Sequence, residues 1–373
     1  MQPLYIGLMS GTSLDGVDGV LVRFGGAAGP VQVLAHHSCR FDDALGTELL
    51  ALNAPGGPDE LQRAALAANA LARLYSQVVA ELLTSSTTPR EAITAIAAHG
   101  QTVRHRPGEF DGTGFTLQLN SPALLAELTG IDVIADFRSR DVAAGGSGAP
   151  LVPAFHRAVF GRPRESLAVL NLGGIANLTV LHADGSTGGF DCGPANVLLD
   201  LWCRRNTGQA YDDQGRSAAS GQVLEPLLAR LRSEAFFSLP PPKSTGRDRF
   251  HAAWLDAHLS TFTEARPQDV QATLSELTAS VCARDIRLHA PQAVEVLVCG
   301  GGAFNSDLMA RLAKHLPAIA VQPTDARGLP ALQVEACAFA WLASAFLARR
   351  PGNVSAVTGA AGPRILGALY PAR

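Results

Sequence analysis

The sequence predicts an α/β protein built from two related domains, and three observations lead there. Apolar strand-like runs alternate with helical stretches along most of the chain; two strand–turn–strand units of similar plan, at residues 4–23 and 167–182, lie about half a chain apart; and 373 residues, 47% hydrophobic and only 17% charged, are enough for about two cores.

Each element follows from local chemistry. Residues 4–9 (LYIGLM) and 17–23 (VDGVLVR) are rich in Leu, Ile and Val and flank the turn-forming SGTSLDG, so they read as a hairpin. Apolar residues at three- and four-residue spacing make 59–84 helical, ITAIAA (93–98) reads as a strand, and Ser121-Pro122 opens a helix to about 129. AAGGSGAP (143–150) concentrates glycine and reads as a crossover or hinge. LAVLNL (167–172), a GGIAN turn and LTVLH (178–182) repeat the hairpin, and a helix starts near Asn196. Residues 294–299 form a strand, followed by a triple-glycine turn and a helix capped by Asn305 or Ser306. An apolar helix at about 331–349 precedes a Pro/Gly-rich tail. The predicted division is a first domain of residues 1–135, a second of residues 136–356, and a tail of residues 357–373 packing back on the first.

Thirty basic and thirty-three acidic residues give a net charge of −3, with no run of like charge, which argues against nucleic-acid or anionic-membrane partners. The six cysteines are scattered without a C-x-x-C pair, as expected of free thiols in a reducing compartment. No basic residue precedes Arg23, so the N-terminus does not read as a signal peptide, and the longest apolar run, 336–348, is short of the ~20 residues that span a bilayer. The expectation is a soluble cytoplasmic protein.

The turn from Ser10 to Gly16 combines flexible backbone, three hydroxyls and an acid, and can aim several N–H groups at a phosphate. It lacks the lysine of a G-x-x-x-x-G-K-[ST] loop, and an ordinary hairpin turn has similar composition. The second Gly-rich turn, beginning at Gly173-Gly174, favours the phosphate reading, because two such turns facing each other would grip a polyphosphate. Gly300-Gly301-Gly302 lies between a strand and a helix, where backbone approaches a nucleotide closely, but it lacks G-x-G-x-x-G spacing. Asp191, before Gly193-Pro194, is placed either as a general base facing a cleft or as a turn former. Extended alternation in IADFRSRD would send Arg138 and Arg140 to one side as an anion clamp; a solvent-facing pair is the alternative. His99 follows a strand, where a structural histidine is the competing reading. Glu335 opens the apolar helix, where it either meets a ligand or complements the helix dipole. Lys243 stands out because only it and Lys314 are lysines among thirty basic residues.

In this order MSGTSLDGVDGV (9–20), AHGQTVRHRP (98–107), DFRSRDVAAGGSGAPLVPAFH (136–156), NLGGIANLT (171–179), GFDCGPAN (189–196), PPKSTGR (241–247) and CGGGAFN (299–305) resemble the anhydro-N-acetylmuramic acid kinases, over essentially the whole chain. The resemblance implies two related actin-like ATPase (ribonuclease H-like) domains with a nucleotide and sugar cleft between them, and an ATP- and Mg²⁺-dependent kinase. It implies that 1,6-anhydro-N-acetylmuramic acid and water become N-acetylmuramic acid 6-phosphate during peptidoglycan recycling. Carried across by position, Gly11, Thr12, Ser13, Leu14, Asp15, Gly16, Val17 and Asp18 form the ATP phosphate loop. Gly173 and Gly174 support the phosphates, and Gly300, Gly301, Gly302 and Asn305 sit near the adenosine. Asp191 is the catalytic base, while His99, Pro107, Arg138, Arg140 and Glu335 bind the sugar. The Mg²⁺ ligands are not identified, Asp15 and Asp18 being candidates through water, and a homodimer is implied. Ser147 departs from the glutamine expected in GGSGAP. A same-fold kinase for another amino sugar, or a nucleotide-gated regulator, are the competing functions; a regulator would have no reason to keep Asp191, Arg138 and Arg140 together.

Overall fold

The computed structural model describes residues 2–11, 14–25, 31–246 and 249–373. The chain divides into two compact units, Met1–Val159 with Gln333–Arg373, and Phe160–Leu332.

The first unit starts with the hairpin β1 (Leu4–Met9) and β2 (Gly16–Phe24), in the register Leu4↔Arg23 to Met9↔Asp18, and adds β3 (Val31–Arg40). After α1 (Asp43–Ala51) and α2 (Glu60–Ser86) the chain returns as β4 (Ile93–Ala98), parallel to β1. β5 (Gln101–Pro107) and β6 (Gly114–Leu119) form a separate antiparallel ribbon, before α3 (Pro122–Thr129), β7 (Val133–Ala135), α4 (Ser139–Ala143) and α5 (Val152–Phe160). The main sheet runs β3-β2-β1-β4-β7, with the first three strands antiparallel and β1, β4 and β7 parallel. Alternation decides which side chains meet α2: Ile6, Leu8, Leu21 and Ile96 are buried with Leu71, Tyr75 and Val78.

The second unit contains β8 (Ser166–Leu172), β9 (Ile175–Leu181), β10 (Thr187–Pro194), α6 (Asn196–Thr207), α7 (Arg216–Ala219), α8 (Glu225–Arg232), α9 (Ala252–Leu259), α10 (Pro267–His289), β11 (Ala293–Cys299), α11 (Ser306–His315) and β12 (Ala320–Pro323). Its sheet runs β10-β9-β8-β11-β12, again three antiparallel strands followed by two parallel ones. The order and sense are the same in both sheets, so the two hairpins at 4–23 and 167–182 are the first strands of two equivalent sheets, the duplication expected from the sequence.

The chain then returns to the first unit through α12 (Val334–Leu347), α13 (Ser355–Thr358) and β13 (Ala368–Tyr370), which pairs antiparallel with β7. α12 lies on the sheet face opposite α2. Gly7 makes its approach possible, because a Cβ there would stand 2.0 Å from the Ala336 carbonyl oxygen.

Three local expectations are corrected. Residues 136–159 and 333–356, expected in the second domain, group with the first unit, since α12 packs on β1, β2 and β4. The second turn is shorter than GGIAN: β9 begins at Ile175, leaving Gly173-Gly174 at the bend. IADFRSRD is not extended throughout, for β7 ends at Ala135, Asp136 takes a left-handed φ of 58°, and α4 begins at Ser139.

Candidate functional site

In the first unit, β4 delivers His99 into a buried position. Its Nε2 accepts from Arg138 Nε at 3.0 Å and Nη2 at 2.9 Å, which leaves the ring proton on Nδ1, donating to the Ser10 carbonyl at 3.3 Å. Burial, reinforced by the Arg138 charge, holds the imidazole pKa well below 6.5. Burial also brings Arg138 down to about 10, against the opposing pull of Glu335 and Asp141, so it remains a cation at neutral pH. Glu335 is pushed above the ordinary carboxylate value by burial, with Arg138 opposing and Asp18 adding to the rise.

Arg138 Nη1 donates to the Gly148 carbonyl at 2.8 Å, and Gly148 N donates to Asp141 Oδ2 at 2.8 Å. Oδ1 of the fully buried Asp141 accepts from Asn353 Nδ2 at 2.7 Å and Thr358 Oγ1 at 2.8 Å. A continuous hydrogen-bonded line therefore runs from the C-terminal tail through Asp141, Gly148, Arg138 and His99 to Ser10. No local motif in the sequence singles out Asp141. The same-side pair of Arg138 and Arg140 expected from extended alternation is not formed: Arg138 precedes α4 and turns inward to His99, whereas Arg140, inside α4, is exposed. Two residues along a helix differ by about 200° in direction, so the same-side clamp fails there. Ser147 turns its hydroxyl onto the Ala149 carbonyl at 2.5 Å, a local contact within the loop.

Ser10 begins the first Gly-rich turn. Its hydroxyl meets Tyr75 Oη at 3.0 Å and donates to the Gly100 carbonyl at 3.1 Å, and Gln101 Nε2 holds the Gly11 carbonyl at 3.1 Å. Leu14 N closes a turn onto Gly11 O at 3.2 Å with Leu14 at φ 60°, and Phe41 N donates to Asp15 O at 3.3 Å. Gly16 is forced by space, since a Cβ would lie 2.2 Å from the Cys39 carbonyl oxygen. Val17 points into the core, leaving only its backbone for a ligand. Asp18 Oδ1 accepts from Ser38 Oγ at 2.5 Å and lies 3.6 Å from His36 Nε2. Burial works upward on this carboxyl, but His36 and Ser38 together outweigh it and hold its pKa below the ordinary value. Thr12 and Ser13 lie outside the described residues. Pro107 ends β5 opposite Gly114, on the ribbon that also carries His105.

In the second unit the Gly173-Gly174 bend is tied to the start of α6: Gly174 O accepts from Ala195 N at 3.0 Å and Val197 N at 3.1 Å, and Gly173 O from Asn196 N at 3.0 Å. With the carbonyls so engaged, their N–H groups are what the bend can offer an anion. The triple glycine packs on the end of β8: Gly300 has φ 79°, and a Cβ there would stand 2.5 Å from Asn171 Oδ1, while one on Gly302 would stand 2.5 Å from Leu172 Cβ. Asn305, not Ser306, caps α11, its Oδ1 accepting from Leu308 N at 3.0 Å. Gly300–Gly302 and the Gly173-Gly174 bend are thus brought together around the Asn171–Leu172 end of β8. Asp191 lies two strands away on β10, in the cross-strand row Asn171↔Asn177↔Asp191. Its Oδ2 accepts from Ser244 Oγ and from Thr245 N, both at 2.9 Å. Burial raises its pKa above the ordinary value, against the pull of Thr245, Ser244 and Lys243.

Among the described residues no group of three or more His, Cys, Asp and Glu side chains is placed to hold a metal ion, and no helix is long and apolar enough to cross a membrane. The profile of the anhydro-N-acetylmuramic acid kinase family matches residues 3–372. Proteins named anhydro-N-acetylmuramic acid kinase are 62% identical in Bordetella petrii, over 99% of this chain and 96% of that one, and 59% identical in Variovorax paradoxus, over 99% of both. A third, from Albidiferax ferrireducens, is 57% identical over the whole of both chains.

Proposed function

Since the chain belongs to the anhydro-N-acetylmuramic acid kinase family, we propose that it does more than transfer phosphate: it couples hydrolytic opening of 1,6-anhydro-N-acetylmuramic acid to phosphorylation of O6 by ATP. Asp191 carries this reading. Its raised pKa makes it a better proton acceptor than a surface aspartate, and only one of its oxygens accepts the Ser244 and Thr245 bonds. Asp191 takes a proton from water as the water oxygen bonds to C1. The C1–O6 bond breaks, and O6 keeps its electron pair and attacks the γ-phosphorus in line. The β–γ bridging oxygen then leaves with ADP.

Nucleotide contacts are assigned to Gly11–Asp18, Gly173, Gly174, Gly300–Gly302 and Asn305, and sugar contacts to His99, Pro107, Arg138, Arg140 and Glu335. In the sugar set, Arg138 works with neutral His99 as one unit, leaving Arg140 as the arginine free to approach the lactyl carboxylate. Mg²⁺ is proposed to arrive with the phosphates, whose charge it would neutralise; it keeps most of its water, so Asp15 and Asp18 would reach it through water. We place the enzyme in the cytoplasm, as a homodimer, in peptidoglycan recycling; six scattered cysteines without a C-x-x-C pair support the reducing compartment.

The test is mass spectrometry of products formed from ATP, Mg²⁺ and 1,6-anhydro-N-acetylmuramic acid in ¹⁸O-labelled water, with Asp191→Asn alongside. A sugar phosphate carrying one ¹⁸O in the wild type and no product from the variant is the expected result. Product without ¹⁸O would overturn the coupled hydrolysis.

A further inference from the structure

The function so far leaves Lys243 unused. Its Nζ lies 3.1 Å from Asp285 Oδ2, and both side chains are only 2% exposed. The ammonium also sits 5.5 Å from the Phe190 ring centre and 5.1 Å from that of Phe236. The other Asp285 oxygen is taken by Arg284, through Nη2 at 2.7 Å and Nε at 3.1 Å. A pair this buried adds little net stability against a well-packed apolar replacement, because desolvation offsets most of the attraction. What it supplies is a fixed position.

That position has a direct line to Asp191. The Lys243 carbonyl accepts from Asp191 N at 3.1 Å, and the next two residues, Ser244 and Thr245, provide the two donors on Asp191 Oδ2. Three successive residues therefore grip Asp191, and the first is anchored to α10 through Asp285. Phe190, the residue before Asp191, is one of the rings beneath the ammonium. The chemistry of the pocket also explains the residue type. A compact ammonium fits between two ring faces and a single carboxylate oxygen, whereas a planar guanidinium would need the oxygen Arg284 already holds. In a chain with only two lysines among thirty basic residues, one is used here.

We propose that Lys243 is a positioning residue for Asp191: with Asp285 it fixes the 243–245 segment so that Oδ2 is committed to Ser244 and Thr245 and Oδ1 is the oxygen presented to the reacting water. The inference rests on Asp191 being the base.

The experiment compares the full-length wild type with Lys243→Met and with the double variant Lys243→Met/Asp285→Asn, which removes both charges together and so leaves neither buried alone. Steady-state kinetics with ATP, Mg²⁺ and the anhydro sugar, pH profiles of kcat and melting temperatures are measured for each. The expected result is a fall in kcat of about tenfold to a hundredfold, with KM for both substrates within about twofold. The acidic limb of the profile should move to higher pH, because groups that now favour the Asp191 carboxylate are lost. A folded variant, single or double, with wild-type kcat and an unmoved acidic limb overturns the proposal, even if its melting temperature drops. Asp191→Asn separates the two failures. If it retains turnover, the base assignment itself falls; if it is inactive while the Lys243 variants behave as wild type, only the positioning role falls.

Discussion

Asp141→Asn probes whether the line from tail to His99 is held by charge. The wild-type carboxylate accepts three hydrogen bonds, from Gly148 N, Asn353 Nδ2 and Thr358 Oγ1. The amide keeps one acceptor and turns the other corner into a donor. With its nitrogen towards Gly148, two N–H groups confront each other; with its nitrogen towards the tail, it confronts Asn353. Asn353 cannot flip in response, because its own Oδ1 accepts from Arg364 N at 2.7 Å. Either way one charge-assisted bond is lost, worth about 1.5–3 kcal/mol, and one buried donor is left unpaired, costing about 1–3 kcal/mol more. The first unit should therefore lose about 2.5–6 kcal/mol. Urea unfolding followed by circular dichroism measures the loss, and hydrogen exchange places it, with faster exchange expected in residues 144–150 and 353–362. Because the Gly148 carbonyl also holds Arg138, kcat should fall as well. A change below about 0.5 kcal/mol with unaltered exchange at both segments would refute the charge-held line.

Two further outcomes follow from the same geometry. His99, His105 and His156 all have pKa values lowered in the fold mainly by burial, His105 to about 4 and His156 to about 3, so below about pH 6.5 the unfolded chain binds more protons than the folded one. Stability then falls with acidification by up to about 1.4 kcal/mol per pH unit for each histidine, opposed near their own range by the raised Asp191 and Glu335; a melting temperature that stays flat from pH 7 to 5 would contradict the neutral histidines. Gly300→Ala places a Cβ 2.5 Å from Asn171 Oδ1 on a backbone with φ 79° and ψ 177°, which only glycine adopts readily, and should cost about 2–5 kcal/mol and raise KM for ATP, both absent if the turn merely relaxes.

What could be read from sequence and what could not divide along the range of the interactions. The hairpins at 4–23 and 167–182 were legible because turn chemistry and branched apolar strands act within twenty residues, and their repetition pointed to the duplicated sheet order. The candidate nucleotide contacts Gly11 to Asp18, Gly173, Gly174 and Gly300 to Gly302 were nameable for the same reason, since they stand in or beside such turns. Asp141 was not legible, since IADFRSRD reads as a charged surface segment; it is buried only because Asn353 and Thr358 arrive from more than two hundred residues away. The same cause undid the Arg138 and Arg140 pair, for alternation assumed a strand where Asp136 turns the chain into α4. Lys243 lies between these cases. Its rarity in an arginine-rich chain marked it as unusual, but the reason, Asp285 on α10 forty-two residues later, appears only when the helix packs. Asn305 and Ser306 were equally good caps on paper, and the structure gives the role to Asn305. The groups proposed to carry the chemistry are therefore announced by local motifs, whereas their orientation is set by distant charged partners. Substitutions at Asp141 and Asp285, which touch neither proposed ligand, should accordingly alter turnover through Arg138 and Asp191.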